Sequence, residues 1–203
     1  MINRENIVYL TDDFIYFYSY KNKKTYKIKL NKDIVFMGRV VDIEKFIKCF
    51  KEIIQKLNIN QGLFSEKIHF IVNCNCHKVD IINLKKIFKY FNYHVIKIDY
   101  EIRYYYLNKD NVWLNIHKNY ITITLINKYK KIEYYIIPKK YFKCMNDLYK
   151  YIKYLVDNKE LYLIGNEKEV YKIFNVFEKN FKNITYVYSN SEMFLLDRVL
   201  GNI

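Results

Sequence analysis

Two adjacent acidic residues, Asp12 and Asp13, interrupt an aromatic and β-branched run near the start of the sequence. Paired carboxylates suit Mg²⁺, which prefers oxygen ligands, so the pair is a candidate metal site. Aspartate is also favoured in tight turns, where its side chain bonds to the nearby backbone. Because the pair stands between two runs that are typical of strands, we favour a turn and expect no metal.

A second group of possible ligands comprises Cys74, Cys76 and His77. Thiolates and imidazoles bind Zn²⁺, but a structural zinc site usually takes four ligands from two spaced pairs, and the sequence shows no second pair. His69 or His94 could approach in space. We favour a strand-to-helix loop with buried thiols. Four cysteines in 203 residues are too few for a disulfide framework and fit a reducing cytosol.

His117 and Lys118 lie in a predicted hairpin turn, where a cation and an imidazole could bind phosphate. A solvated turn is the alternative, and it is the interpretation we favour. Aspartate, histidine and cysteine residues could be arranged as a nucleophilic triad, but no signature such as a nucleophile elbow supports one. The sequence therefore offers no clear catalytic group.

The net charge of +14 is compatible with nucleic acid, anionic lipid or an acidic protein as partner. Tyrosines interleaved with lysines suit stacking on single-stranded nucleic acid, or a protein interface. Isoleucine, lysine, asparagine and tyrosine dominate, however, which indicates an AT-rich genome, and we expect nucleic acid not to be the partner. No secretory signal and no membrane-spanning run is predicted, so we expect a cytoplasmic protein.

The first half of the sequence predicts three strands followed by alternating helices and strands. Ile7–Leu10 and Phe14–Tyr20 form a hairpin, Thr25–Leu30 alternates as a third strand, and Asp42 caps an amphipathic helix. Then come a short apolar strand, a helix capped by Asp80, and a further strand. The short strand is Ile68–Val72, the helix capped by Asp80 runs through Phe91, and the further strand is Val95–Ile98. A tyrosine-rich turn or short helix follows at Glu101–Leu107.

The second half repeats this order, though not the residues themselves. The predicted elements are strands at Val112–Ile116, Tyr120–Asn127 and Lys131–Ile137, a helix from Phe142 to Asp157 with Cys144 on its face, a strand at Leu161–Ile164, a helix from Val170 to Phe181, a strand at Ile184–Tyr188 and a last helix capped by Ser191. Three antiparallel strands followed by strands alternating with helices predict a mixed sheet covered by helices. We therefore predict an α/β protein of two ribonuclease H-like lobes, residues 1–108 and 109–203.

Several segments resemble bacterial actins of the MreB, FtsA and PilM type. Gly38–Ile54 is similar to the segment that precedes and forms the first crossing helix of that family, and Lys67–Asp99 to its strand, helix and strand. Val112–Pro138 stands where the second phosphate loop and its hairpin belong, and Leu161–Phe174 resembles the adenosine-binding strand, glycine and helix. Asn183–Leu200 resembles the final strand and helix. The resemblance covers nearly the whole chain.

The sequence departs from this family at the nucleotide site. By the resemblance, the site would comprise Thr11, Asp12, Asp13, Asn115, His117, Lys118 and Gly165. Glycines let backbone N–H groups reach a phosphate, yet neither phosphate loop here contains one. Only Gly165 retains a family glycine. We therefore expect a decayed ATPase site that takes no cofactor, with ATP and Mg²⁺ as the alternative that is not favoured.

The resemblance implies a scaffold or adaptor without catalytic activity, working with protein partners in a membrane-associated assembly such as type IV pilus or secretion machinery. A homo-oligomer and peripheral contact with the inner membrane are compatible with it. The apolar C-terminal stretch Glu192–Ile203 is expected to pack on the second lobe. The alternatives are a nucleotide-dependent MreB- or FtsA-like filament protein and a nucleic-acid-binding ribonuclease H-like protein.

Overall fold

The architecture comes from a computed structural model of the chain. It describes residues 5–31, 33–56, 66–73, 76–104, 109–117, 119–129, 132–157, 159–165, 167–186 and 199. The chain divides into two compact units, Met1–Arg103 and Tyr104–Ile203. No helix in the described ranges is long and apolar enough to cross a membrane.

The first unit is built on a five-stranded mixed sheet. Its strands are β1 (Asn6–Leu10), β2 (Phe14–Ser19), β3 (Lys24–Lys29), β6 (Glu66–Val72) and β7 (Tyr93–Tyr100), in the spatial order β3-β2-β1-β6-β7. The first three pair antiparallel, whereas β1, β6 and β7 run parallel. Parallel strands require crossover connections, and here helices supply them.

Helices α1 (Ile43–Lys56) and α2 (Lys78–Tyr90) provide those crossovers. Their apolar faces meet the sheet in an aromatic core, in which the Phe50 ring lies 5.0 Å from that of Phe88 and 5.1 Å from that of Phe91. Phe88 also contacts Phe70 of β6, at 5.1 Å between ring centroids. The three-and-four spacing of apolar residues in the sequence therefore encodes the layer that joins helices to sheet.

A small hairpin in the first unit was not predicted from the sequence. It consists of β4 (Val35–Phe36) and β5 (Arg39–Val40), joined through Gly38. The Arg39 guanidinium extends from this hairpin to the Asp80 carboxylate on α2, with Nε to Oδ2 at 2.9 Å and Nη2 to Oδ1 at 3.2 Å. Two-residue strands carry too little alternation to be recognised in a sequence.

The second unit repeats the arrangement. Its elements are β8 (Asn111–Ile116), β9 (Tyr120–Ile126), β10 (Ile132–Pro138), α3 (Met145–Val156), β11 (Glu160–Gly165), α4 (Glu167–Phe177) and β12 (Ile184–Tyr186), with the sheet order β10-β9-β8-β11-β12. Helices α3 and α4 bury a mainly aliphatic core that includes Ile152, Val170 and Phe177. The predicted α/β class with two mixed sheets is confirmed.

Some element boundaries and caps differ from the predictions. Asp80 is not the cap of α2: His77 precedes the helix, and Asp80 accepts a hydrogen bond from the His77 N–H at 2.8 Å from inside its first turn. Cys144 is exposed and caps α3, which begins at Met145 after a 3-10 turn at Lys139–Tyr141. In a capping box, the residue before the helix and an acidic residue in the first turn hydrogen-bond to each other's backbone N–H. An acidic residue in the sequence can therefore mark the first turn and not the residue at which the helix starts.

Several predictions fall outside the described residues. These are the helix capped by Ser191, the stretch Glu192–Ile203 except for residue 199, the part of the tyrosine-rich segment after Tyr104, and Cys74 of the possible zinc cluster. Strands β3 and β7 also differ by one or two residues at each end from the predicted ranges, and the end of the predicted strand Ile184–Tyr188 lies outside the described residues. Apart from the β4–β5 hairpin and the 3-10 turn before α3, the order of elements agrees with the prediction in the described ranges.

The aromatic core makes a stability prediction. Replacing Phe88, which is fully buried, with alanine removes contacts to Phe50 and Phe70 and should lower the free energy of unfolding by about 3–5 kcal/mol. Tyr90→Ala is the matched control, because Tyr90 lies on the same helix and is 69% exposed. Urea unfolding followed by circular dichroism would contradict this account if both variants lost the same stability.

Candidate functional site

The turn between β1 and β2 is closed by its own hydrogen bonds. The Thr11 N–H donates to the Phe14 carbonyl at 2.9 Å, and the Phe14 N–H donates to the Thr11 hydroxyl oxygen at 3.1 Å. The Leu30 N–H binds the Asp13 carbonyl at 2.7 Å. Thr11 and the backbone of Asp13 therefore shape a tight turn, which is the interpretation that the sequence favoured for this segment.

Asp12 lies in that turn with 9% of its surface exposed. Its Oδ1 accepts a hydrogen bond from the Gly38 N–H at 2.7 Å. Asp13 is more exposed, so the two carboxylates occupy different environments. Among the described residues, no group of three or more histidine, cysteine or acidic side chains is placed to hold a metal ion.

Gly38 brings the small hairpin against the end of β6. Its φ of +74° lies in the left-handed region, and a Cβ there would stand 2.3 Å from the Cβ of Asn73. A glycine is therefore needed on both conformational and steric grounds. Its N–H holds Asp12, so the close approach of Gly38 to Asn73 also fixes the carboxylate.

Glu101 is the centre of this region and was not predicted from the sequence. It is fully buried just after β7, where its two carboxylate oxygens accept bonds from the Tyr9 hydroxyl at 2.8 Å and the Asn73 amide at 2.9 Å. Burial raises the pKa of Glu101 to about 7, the Tyr9 bond opposes the rise, and the charge of Asp12 adds to it. Both oxygens of the Glu101 carboxyl are thus hydrogen-bonded to side chains of the first unit.

The strand order contains a signal that could have located Glu101. Strands β1, β6 and β7 are parallel neighbours, so their carboxyl ends meet at one edge of the sheet. Asp12, Asn73 and Glu101 each come within two residues of the end of one of these strands. Ligands of open α/β sheets bind at that edge, so polar residues there are site candidates.

The second unit places Asn115 and His117 at the corresponding end of β8. Asn115 is buried within the strand, opposite Thr122 of β9. The His117 ring stacks on the Tyr120 ring at 4.2 Å between centroids, and the backbone N–H of His117 donates to the Tyr120 carbonyl at 3.1 Å. Burial, and secondarily the charge of Lys139, lower the pKa of His117 to about 3. His117 is therefore neutral near pH 7 and adds no positive charge for a phosphate, whereas Lys118 lies outside the described residues.

Gly165 ends β11, beside the end of β8. A Cβ at this position would stand 2.4 Å from the Ile116 carbonyl oxygen, and its φ is +146°. The register pairs Gly165 with Ile116 directly. The retained glycine is thus required by strand packing within the unit, whether or not a ligand approaches it.

His69 and Asp99 form a buried pair of the kind that acid–base catalysis uses. His69 Nε2 lies 3.0 Å from the Asp99 carboxylate, which also contacts Lys97 at 2.7 Å and Arg103. Burial is the main cause that lowers the pKa of His69. Cys76 is not part of this pair, and burial raises the pKa of its thiol to about 12, so this thiol is not an activated nucleophile.

The two repeated units together define an actin-like fold. No protein-family model matches the sequence, and no curated protein matches it. Solved structures, however, are similar to this chain. EutJ, an ethanolamine utilization protein from Carboxydothermus hydrogenoformans, is similar with a TM-score of 0.67 at 13% identity, covering 98% of this chain and 92% of that one.

Two further structures have the same fold. MreB 5 of Spiroplasma citri, bound to AMPPNP, gives a TM-score of 0.67 at 8% identity, over 96% of this chain and 95% of that one. A PilM–PilN type IV pilus biogenesis complex gives 0.64 at 7% identity, over 97% and 95%. At such identities the likeness establishes the fold, and the actin-like resemblance seen in the sequence is confirmed at that level.

The buried carboxyl predicts a pH dependence of stability. The Glu101 pKa is raised from 4.5 in a free side chain to about 7 in the folded unit. Between these values the folded state keeps a proton that the unfolded state has lost. The free energy of unfolding should therefore fall as pH rises through this window, by up to about 3 kcal/mol.

Glu101→Gln should flatten this dependence, because the amide cannot ionise. Urea unfolding at several pH values between 4.5 and 8 measures it, and Glu44→Gln, at an exposed acid on α1, is the control that should retain the wild-type slope. An unchanged slope in Glu101→Gln would show that another group titrates in this window.

Proposed function

We propose that the chain is a non-catalytic, actin-like scaffold or adaptor. The observation that carries the proposal is the internal pairing at the carboxyl ends of β1, β6 and β7. Glu101 is bonded to Tyr9 and Asn73, and Asp12 to the Gly38 N–H. In an ATPase, such polar groups would bind Mg²⁺ or orient a water molecule. Here they are hydrogen-bonded to other residues of the first unit.

The hairpin turn of the second unit supports the same proposal. His117 is neutral and stacked on Tyr120, and the Gly165 backbone is packed against Ile116. Phosphate loops need several backbone N–H groups directed at the ligand and small residues beside them. The turn at His117–Tyr120 is instead closed by a bond between its own ends.

The partner we propose is a protein of a membrane-associated assembly at the cytoplasmic face. The similar fold of PilM, which was solved in a complex with PilN, supports a partner-binding role for a chain of this fold. The net charge of +14 would favour a location near anionic lipid. A pilus or secretion apparatus is the class of assembly to test first.

A thermal-shift titration with Mg-ATP, Mg-ADP and Mg-GTP tests the loss of nucleotide binding. A ligand that binds the folded state raises the melting temperature according to its affinity, so no shift is expected up to about 5 mM nucleotide. An active bacterial actin measured in parallel supplies the positive control. A saturable shift, or ATP turnover abolished by Asp12→Ala, would overturn the proposal.

A nucleotide-dependent filament is the second candidate, favoured by the likeness to MreB 5 bound to AMPPNP. Sedimentation and electron microscopy with and without Mg-ATP separate the two functions. The scaffold proposal expects no filaments in either sample, whereas filaments that need nucleotide would establish the second candidate.

A further inference from the structure

A surface cavity of about 380 Å³ lies in the second unit, at the amino ends of β11 and β12. The last two turns of α3 form one wall, and the turns that lead into the two strands form the others. Gly165 and the closed turn at His117 lie at the carboxyl ends of this sheet, so the cavity is separate from the site described above. Its volume falls in the range of about 300–1,000 Å³ that is typical of ligand pockets.

The floor of the cavity is apolar. The ring of Tyr149 on α3 packs edge-on against that of Phe181, with 5.3 Å between centroids, and Phe181 packs in turn on Phe177 at 5.4 Å. Val156, which is 3% exposed, completes the floor. Tyr149 and Phe181 are only half-buried, so part of each ring can still be covered by an apolar group that enters the cavity.

Backbone hydrogen bonds hold the walls in place. The Phe181 N–H donates to the last carbonyl of α4 at 2.8 Å, and the Leu161 N–H of β11 donates to the Asn183 carbonyl at 2.9 Å. On the other side, the Lys159 N–H donates to the Val156 carbonyl at 2.8 Å where α3 ends. The cavity is therefore formed by contacts within the unit before any ligand arrives, which lowers the entropy cost of binding.

Among the described residues, three lysines line the cavity. Lys159 Nζ donates to the Leu155 carbonyl at 3.0 Å, so this lysine already binds the end of α3. Lys153 and Lys182 are exposed at the margin and form no ion pair with another residue of the described ranges. Asp157 is the one acid of the described lining, so the cavity carries an excess of positive charge.

Asp157 and the end of α3 determine which part of a ligand can occupy the centre of the cavity. The carbonyl groups at the carboxyl end of a helix carry a partial negative charge, and Asp157 caps α3 at that end. An anion at the centre would meet both, whereas an apolar side chain would meet the rings of Tyr149 and Phe181. Anionic groups are therefore favoured at the margin, beside Lys153 and Lys182.

We propose that this cavity binds a short segment of a protein partner in which one large apolar side chain is flanked by acidic residues. The apolar side chain would cover Tyr149 and Phe181, and the carboxylates would pair with Lys153 and Lys182. Because the carboxylates of a peptide stand apart from its apolar side chain, such a segment places both kinds of group where the cavity favours them. The inference names the partner chemistry of the scaffold and rests on the proposed function.

Selection from a phage-displayed library of random dodecapeptides, in buffer without nucleotide, tests this inference. The selected peptides should share a phenylalanine, tryptophan or leucine with acidic residues close on either side. A fluorescent copy of the strongest peptide should bind more weakly as salt is added, because its carboxylates pair with exposed lysines. Replacing its apolar residue with alanine should weaken binding by about tenfold or more.

Charge reversal at the margin provides a matched comparison. Lys153→Glu and Lys182→Glu should each weaken binding by about fivefold or more, because an attraction becomes a repulsion. Lys172→Glu, at an exposed lysine of α4 outside the described lining, makes the same change in net charge and should alter affinity by less than about twofold. All three lysines are exposed, so the variants should fold, and the fluorescence of Trp113, the single tryptophan, which is buried in the second unit, checks this.

Four results would overturn the inference. They are failure to enrich an acidic and apolar peptide, binding that the margin variants weaken no more than Lys172→Glu does, binding of free phenylpropionate as tight as that of the peptide, and a wild-type dimer in sedimentation that Lys153→Glu makes monomeric. The second would show that net charge alone attracts the peptide, the third would identify a small-molecule site, and the fourth a second copy of the chain.

The outcome for the cavity is separate from the outcome for the proposed function. The binding assay contains no nucleotide, and its result depends on the lysines and rings of the cavity. A thermal shift with Mg-ATP would overturn the non-catalytic function and leave peptide binding unchanged, whereas loss of peptide binding would leave the nucleotide titration unchanged.

Discussion

The buried carboxyl of Glu101 is the constraint on which the first unit depends. A carboxyl group removed from water needs hydrogen bonds for both oxygens, and Tyr9 and Asn73 supply them from β1 and from the end of β6. These contacts join residues far apart in the sequence. They also require Gly38, because any larger residue would displace Asn73. The carboxyl ends of the three parallel strands are therefore tied together by polar contacts within the unit.

The same edge of the sheet is where α/β proteins bind ligands, so the closed network bears directly on function. A bound nucleotide would have to compete with these internal partners. In the second unit the turn after β8 is also closed, with His117 stacked on Tyr120 and Gly165 packed on Ile116. In both units the described contacts at these strand ends are thus made without a ligand.

Much of the fold follows from local patterns in the sequence. The spacing of Phe46, Phe50 and Ile53 identifies α1, and alternation identifies β3, because periodicity reflects which face is buried. Boundaries are less well determined: Asp80 marks the first turn of α2 and pairs with Arg39, although it was predicted as the cap. The β4–β5 hairpin is too short for a pattern and depends on the contact of Gly38 with Asn73.

The candidate site was predicted only in part. Turn chemistry located the turn at Thr11–Phe14 and the loop around His117, because the bonds that close each turn join residues three positions apart. Glu101 was missed, since its role depends on partners 28 and 92 positions away.

The most direct test of this account is the ionisation of Glu101 itself, measured by ¹³C NMR with glutamate labelled at its carboxyl carbon and Glu101→Gln used for assignment. The account predicts a resonance that titrates near pH 7 and is unchanged by Mg²⁺ and ATP. A Glu101 carboxyl that titrates near 4.5 would be open to solvent, and a resonance that shifts with Mg-ATP would place Glu101 at a ligand site; either result would contradict the closed network.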